Sequence, residues 1–68
     1  MAEGAVKWFD NSEGFGFIRP DEGGRDCFVK YSVIQSEGFE RLEEGGRVEL
    51  KMGEGPKGPA AENVVRLK

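Results

Sequence analysis

The sequence predicts a small all-β domain, a closed barrel or a sandwich, and three observations lead there. Eleven glycines and three prolines cut the 68 residues into short pieces. The pieces between them alternate apolar with polar residues, or are rich in β-branched and aromatic ones. No stretch sustains a helical stripe: the best candidate, Ser32 to Leu42, is interrupted by Gly38. A chain of this length makes a single domain, residues 1–68, and buries only about 60% of the surface that its unfolded form exposes. So thin a core needs a disulfide, a metal or a closed sheet. Cys27 is the one cysteine and histidine is absent, which excludes an internal bridge and the usual tetrahedral zinc site. Sheet closure remains.

Five strands follow in order. The first, Ala5 to Asp10, ends at the turn cluster Asn11 to Gly14. Val6 is its natural core residue, and Trp8 reaches the opposite face only if a twist or a bulge turns it there. The second runs from Phe15 to Arg19, before the cluster Pro20 to Gly24. Successive side chains on a strand point to opposite faces, so an inward Ile18 puts Gly16 inward, and Phe15 and Phe17 outward. In the third, Asp26 to Lys30, Cys27 and Val29 face the core and Phe28 and Lys30 face away. One short helical turn is expected near Ser32 to Gln35. The fourth strand, Arg47 to Met52, and the fifth, Glu62 to Arg66, flank Gly53 to Pro59, whose two prolines and three glycines predict a mobile loop without ladder pairing.

Composition narrows the function. Ten Lys and Arg against thirteen Asp and Glu give a net charge of -3, the wrong sign for a protein that holds duplex DNA by its phosphates. Seven aromatic residues, Trp8, Phe9, Phe15, Phe17, Phe28, Tyr31 and Phe39, all fall in the first 39 positions. A sheet covered on both faces would bury the outward ones, but after five strands no residues remain to build a second layer. Exposed together, Phe15, Phe17 and Phe28 form an apolar patch of the kind that marks a binding surface. Unpaired bases fit it, because stacking supplies affinity that charge does not. An enzyme is disfavoured: the acidic residues are scattered through turns, and Cys27 points inward as a small core residue. No cofactor is implied. The first residues lack the basic start and apolar run of a signal peptide, no stretch approaches membrane-spanning length, and a lone thiol fits a reducing cytosol, so a soluble cytoplasmic protein is expected.

Gly14-Phe15-Gly16-Phe17-Ile18 and Cys27-Phe28-Val29-Lys30-Tyr31 resemble the two ribonucleoprotein-type motifs of the cold-shock domain family, in order and at the proper separation. Val6-Lys7-Trp8-Phe9, Ser32-Val33-Ile34-Gln35, Glu37-Gly38-Phe39, Leu42-Glu43-Glu44-Gly45 and Lys57-Gly58-Pro59 extend the likeness over nearly the whole chain. An RNA-recognition motif also carries such segments, but it needs two helices and has them in reverse order. The resemblance implies a five-stranded antiparallel barrel of the oligonucleotide-binding (OB) fold type. It implies a monomer that binds single-stranded RNA or DNA, favours pyrimidines and acts as an RNA chaperone. By position it assigns stacking to Trp8, Phe15, Phe17, Phe28, Tyr31 and Phe39, with Phe9 at the edge. Lys7 and Lys57 become cationic contacts, and Asp26 an acceptor for a base edge.

The chain departs from the family's pattern at three positions. Glu13 stands where lysine is usual, reversing a charge beside the aromatic surface and predicting weaker binding. Lys30 stands where histidine is usual; an ammonium does not stack, but it reaches a phosphate or lies over a ring. Asp10 replaces a common asparagine and loses a neutral donor. Glu13 and Lys30 are placed to pair across the strands. Two rival readings remain open at this point: a small barrel that holds a proline-rich peptide in its aromatic groove, and a degenerate scaffold silenced by Glu13.

Overall fold

A computed structural model describes residues 2–35 and 42–67. Its strands are β1 (Ala2–Asp10), β2 (Phe15–Pro20), β3 (Cys27–Lys30), β4 (Ile34–Gln35), β5 (Arg47–Gly55) and β6 (Gly58–Arg66), with a 3-10 turn at Tyr31–Val33. They lie in the order β3-β2-β1-β5-β6-β4. Neighbours along β3-β2-β1-β5-β6 pair antiparallel, and a parallel pairing of β3 with β6 at Phe28↔Ala60 closes the sheet. The five longer strands thus make a closed barrel of the OB-fold type. The two-residue β4 adds a short parallel pairing, Ile34↔Val64 and Gln35↔Val65, along β6.

Closure gives one interior, filled from every wall. Val6, Ile18, Cys27, Val29, Val48, Leu50 and Val64 are buried inward residues of the strands, joined by Ile34, Leu42 and Ala61. Fully burying an aliphatic side chain of this size stabilises by about 1.5 to 3 kcal/mol relative to leaving it exposed. Alternation along β2 and β3 is as the sequence predicts, with Gly16, Ile18, Cys27 and Val29 inward.

The segment Gly53 to Pro59 is where the architecture departs most from the sequence reading. It is not a loop without pairing: β5 and β6 continue through it, with Gly53↔Ala60, Glu54↔Pro59 and Gly55↔Gly58 in register around a two-residue turn at Pro56-Lys57. The residues that read as strand breakers are those the turn uses. Proline has the fixed φ of a turn's first position, and Gly58 leaves the turn at φ 120°, a region that L side chains rarely enter. Pro59 sits next to the turn, at the start of its strand, where a missing N–H is tolerated. The helical turn also falls one residue early, over Tyr31–Val33, because Ile34 and Gln35 are already extended beside β6.

Candidate nucleic-acid interface

The outward residues of β2 and β3 lie beside one another. Register pairs Phe17 with Phe28 and Phe15 with Lys30. The rings of Phe15 and Phe28 have centroids 5.9 Å apart, and those of Phe17 and Phe28 5.7 Å apart. Trp8 extends the group across β1, 5.6 Å from Phe15 edge-on and 6.4 Å from Phe17 in a stacked orientation with an interplanar angle of 28°. These are separations at which aromatic pairs attract, so the rings orient one another while their outer faces meet solvent. Trp8 is 41% exposed and Phe17 36%, while Phe15 and Phe28 are half-buried at the centre.

A bulge in β1 puts Trp8 there. Val6 pairs with Ile18 but Trp8 with Phe17, so Lys7 is an extra residue with no partner on β2. Lys7 and Trp8 therefore both point outward, and alternation resumes with its phase reversed. Phe9 consequently turns inward. Expected at the edge of the rings, it is a core residue, 8% exposed, packed with the barrel interior. Gly16 makes room for it: the two pair in register, and a Cβ on Gly16 would stand 2.7 Å from both Phe9 Cα and its ring, besides overlapping the Trp8 carbonyl oxygen. The glycine between two outward-pointing phenylalanines thus brings β1 close to β2 at the bulge.

Tyr31 is 56% exposed at the margin of the surface. Its N–H donates to the Gly14 carbonyl at 2.8 Å, and its ring covers Gly14, whose φ is 81° and whose added Cβ would meet Tyr31 Cδ1 at 2.7 Å. Phe39 lies outside the described residues.

A groove of about 510 Å³ runs along the rings, with Phe15, Phe17 and Phe28 as one wall and Gly55 to Ala60 as the other. Lys30 and Lys57 line it, as do Asp26 and Arg25. Arg25, Pro56 and Pro59 are given no binding role by the sequence reading; the β3–β6 closure brings them to the groove, and no pattern local to either strand signals that pairing. Lys7 and Asp26 are not independent contacts. The Lys7 ammonium donates to the Asp26 carboxylate at 2.8 Å across the bulge, so each already has a partner.

The family model described as the "Cold-shock" DNA-binding domain matches residues 2–67. The chain belongs to the cold-shock domain family. It is 54% identical over 65 residues to Cold shock-like protein CspE of Escherichia coli (strain K12), covering 96% of this chain and 94% of that one. CspE of Buchnera aphidicola subsp. Acyrthosiphon pisum (strain APS) is 55% identical with the same coverage. Cold shock protein CspV of Vibrio cholerae is 55% identical over 64 residues, 94% of this chain and 91% of its own.

Of the three departures from the family's pattern, Asp10 has a clear local role. Asp10 Oδ1 accepts from the backbone N–H of Ser12 and of Glu13, each at 2.9 Å, which folds the β1–β2 turn. The contact uses only an acceptor, so the donor that asparagine would add is not needed. Glu13 and Lys30, placed to pair from the sequence, form no ion pair among the described residues; Glu13 is exposed on the turn. Cys27 is buried in the barrel interior, and burial pushes its thiol pKa up. No helix among the described residues is long and apolar enough to cross a membrane.

Proposed function

We propose that this cold-shock domain binds single-stranded RNA or DNA by stacking unpaired bases on Trp8, Phe15, Phe17 and Phe28, with Tyr31 at the margin of the surface and Phe39 as a further stacking residue by the family resemblance. The observation that carries this reading is the contiguous group of four rings with outward faces on a chain of net charge -3. Each base stacked on a ring contributes about 1 to 3 kcal/mol by alanine substitution, enough for useful affinity without a basic surface. Pyrimidine-rich strands are the preferred ligands, and the 68 residues act as one domain and as a monomer in the cytoplasm. No catalytic step or cofactor enters.

Chaperone action follows from differential binding. A surface that stacks unpaired bases, and has no access to bases inside a duplex, lowers the free energy of melted RNA relative to paired RNA. Weak secondary structure then opens by mass action, without ATP.

Titration of Trp8 fluorescence with a pyrimidine heptamer and, separately, with a proline-rich peptide tests the reading. Quenching by the heptamer supports it. Quenching by the peptide alone makes the aromatic groove a peptide site, and quenching by neither makes this a scaffold without the function.

A further inference from the structure

The cations around the rings are not equivalent. Lys7 lies 2.8 Å from the Asp26 carboxylate, and the pair presents no net charge to a ligand. Lys30 stands opposite Phe15, at the end of the groove served by the β1–β2 turn. That turn carries Glu13 and is tied to the segment after Lys30 by the Tyr31 N–H to Gly14 carbonyl bond. A cation at this end has an exposed carboxylate on the neighbouring turn.

The other end differs. Arg25 lies two residues before β3, Gly58 opens β6, and the parallel register at Phe28↔Ala60 brings these two strand starts together. Arg25 Nη2 lies 3.5 Å from the Lys57 carbonyl oxygen, a long contact for a hydrogen bond. A Cβ on Gly58 would stand 2.6 Å from the same nitrogen, so the glycine leaves the space that the guanidinium occupies. Arg25 and Lys57 therefore line the same end of the groove, both exposed, and neither is paired with a carboxylate among the described residues. The one carboxylate lining the groove among the described residues, Asp26, is engaged by Lys7, so two exposed cations at one end of the groove favour an anion there, and the planar fork of arginine matches a phosphate in geometry.

We infer that Arg25 is a phosphate-binding residue of this interface, and that the backbone of the bound strand is gripped at the Arg25–Lys57 end of the groove, while Lys7 contributes no net charge. The assignment rests on the proposed single-strand binding and adds to it where the charge resides. Neutralising one contacted phosphate of a single strand contributes about 0.7 to the slope of log K against log salt. Arg25→Gln should lower that slope by about 0.7, so that the weakening over a fourfold rise in salt shrinks by ~2.6-fold. Arg25→Lys should restore the slope, because the slope counts charge and not shape. The double variant Lys7→Gln with Asp26→Asn, which removes a neutral pair, should leave it unchanged.

The experiment is fluorescence anisotropy of labelled heptathymidylate with the full chain and these three variants across a salt series. An unchanged slope in Arg25→Gln, or no recovery in Arg25→Lys, overturns the assignment while leaving base stacking intact. A lowered slope in the double variant returns the charge to Lys7 and overturns it as well. Wild-type protein that leaves the anisotropy unchanged removes the single-strand reading and this inference together.

Discussion

The β2–β3 and β5–β6 pairs of the barrel solve the same folding problem with different outer faces. Both fill the interior in alternation, β2 and β3 with Ile18, Cys27 and Val29, β5 and β6 with Val48, Leu50 and Val64. Outside, β5 and β6 carry the half-buried Glu49 and an exposed ion pair, Lys51 to Glu62 at 3.8 Å. At the corresponding positions β2 and β3 carry Phe15, Phe17 and Phe28. A charged outer face is therefore compatible with the barrel, and folding does not require phenylalanine there. The outer rings are therefore available for the base stacking proposed above.

The largest effect that sharpens this contrast is on stability. Leu50→Ala or Ile18→Ala, each removing a fully buried side chain, should cost about 2 to 5 kcal/mol in denaturant unfolding. Phe17→Ala should cost on the order of 0.5 kcal/mol, as surface changes do. Equal losses would make the rings part of the core and break the contrast. Binding should show the inverse: calorimetric titration with a pyrimidine heptamer should lose about 1 to 3 kcal/mol in Phe17→Ala or Phe28→Ala, and nothing measurable in Lys51→Ala.

A smaller effect is expected at Glu13. Glu13→Lys replaces a repulsive charge beside Phe15 with an attractive one. It should tighten binding at low salt and steepen the salt slope by up to about 0.7 if the new cation meets one phosphate. Unchanged affinity would place the bound backbone away from the β1–β2 turn.

The smallest effect lies at the opposite end of the molecule. There Arg47 forms a two-pronged ion pair with Asp21 and stands 3.7 Å from Glu3. The hydrogen bonds from Arg47 hold the Asp21 carboxyl below the usual carboxylate range. A depressed folded-state pKa contributes stability that is present above the ordinary aspartate range and lost as pH falls through the depressed value. Both groups are exposed, so the effect is small and screened by salt. NMR titration should find Asp21 lowered in the wild type and returned toward normal in Arg47→Gln, with part of the acid-side loss of stability gone.

Much of this was legible in the sequence because period 2 is a strong constraint where one face is buried. Once Ile18 and Val29 are inward, the directions of Phe15, Phe17 and Phe28 follow. Phe9 was misplaced by an incomplete use of the same rule. A bulge that turns Trp8 outward reverses the phase of everything after it, so Phe9 must turn inward, and Gly16 opposite is the residue that lets it. The β5–β6 hairpin was missed because glycine and proline were counted as breakers without asking which turn positions they fit. The Lys7–Asp26 pair and the place of Arg25 were out of reach, since both depend on residues brought together by bulge geometry and by the β3–β6 closure.

The most direct test of the central claim, that bases lie flat on the exposed rings, is the NMR spectrum of the protein with a pyrimidine heptamer. The account predicts upfield ring-current shifts of base protons and contacts between those protons and the rings of Trp8, Phe15, Phe17 and Phe28. Shifts confined to the barrel end around Leu42 to Arg47, with the four rings unchanged, would contradict it.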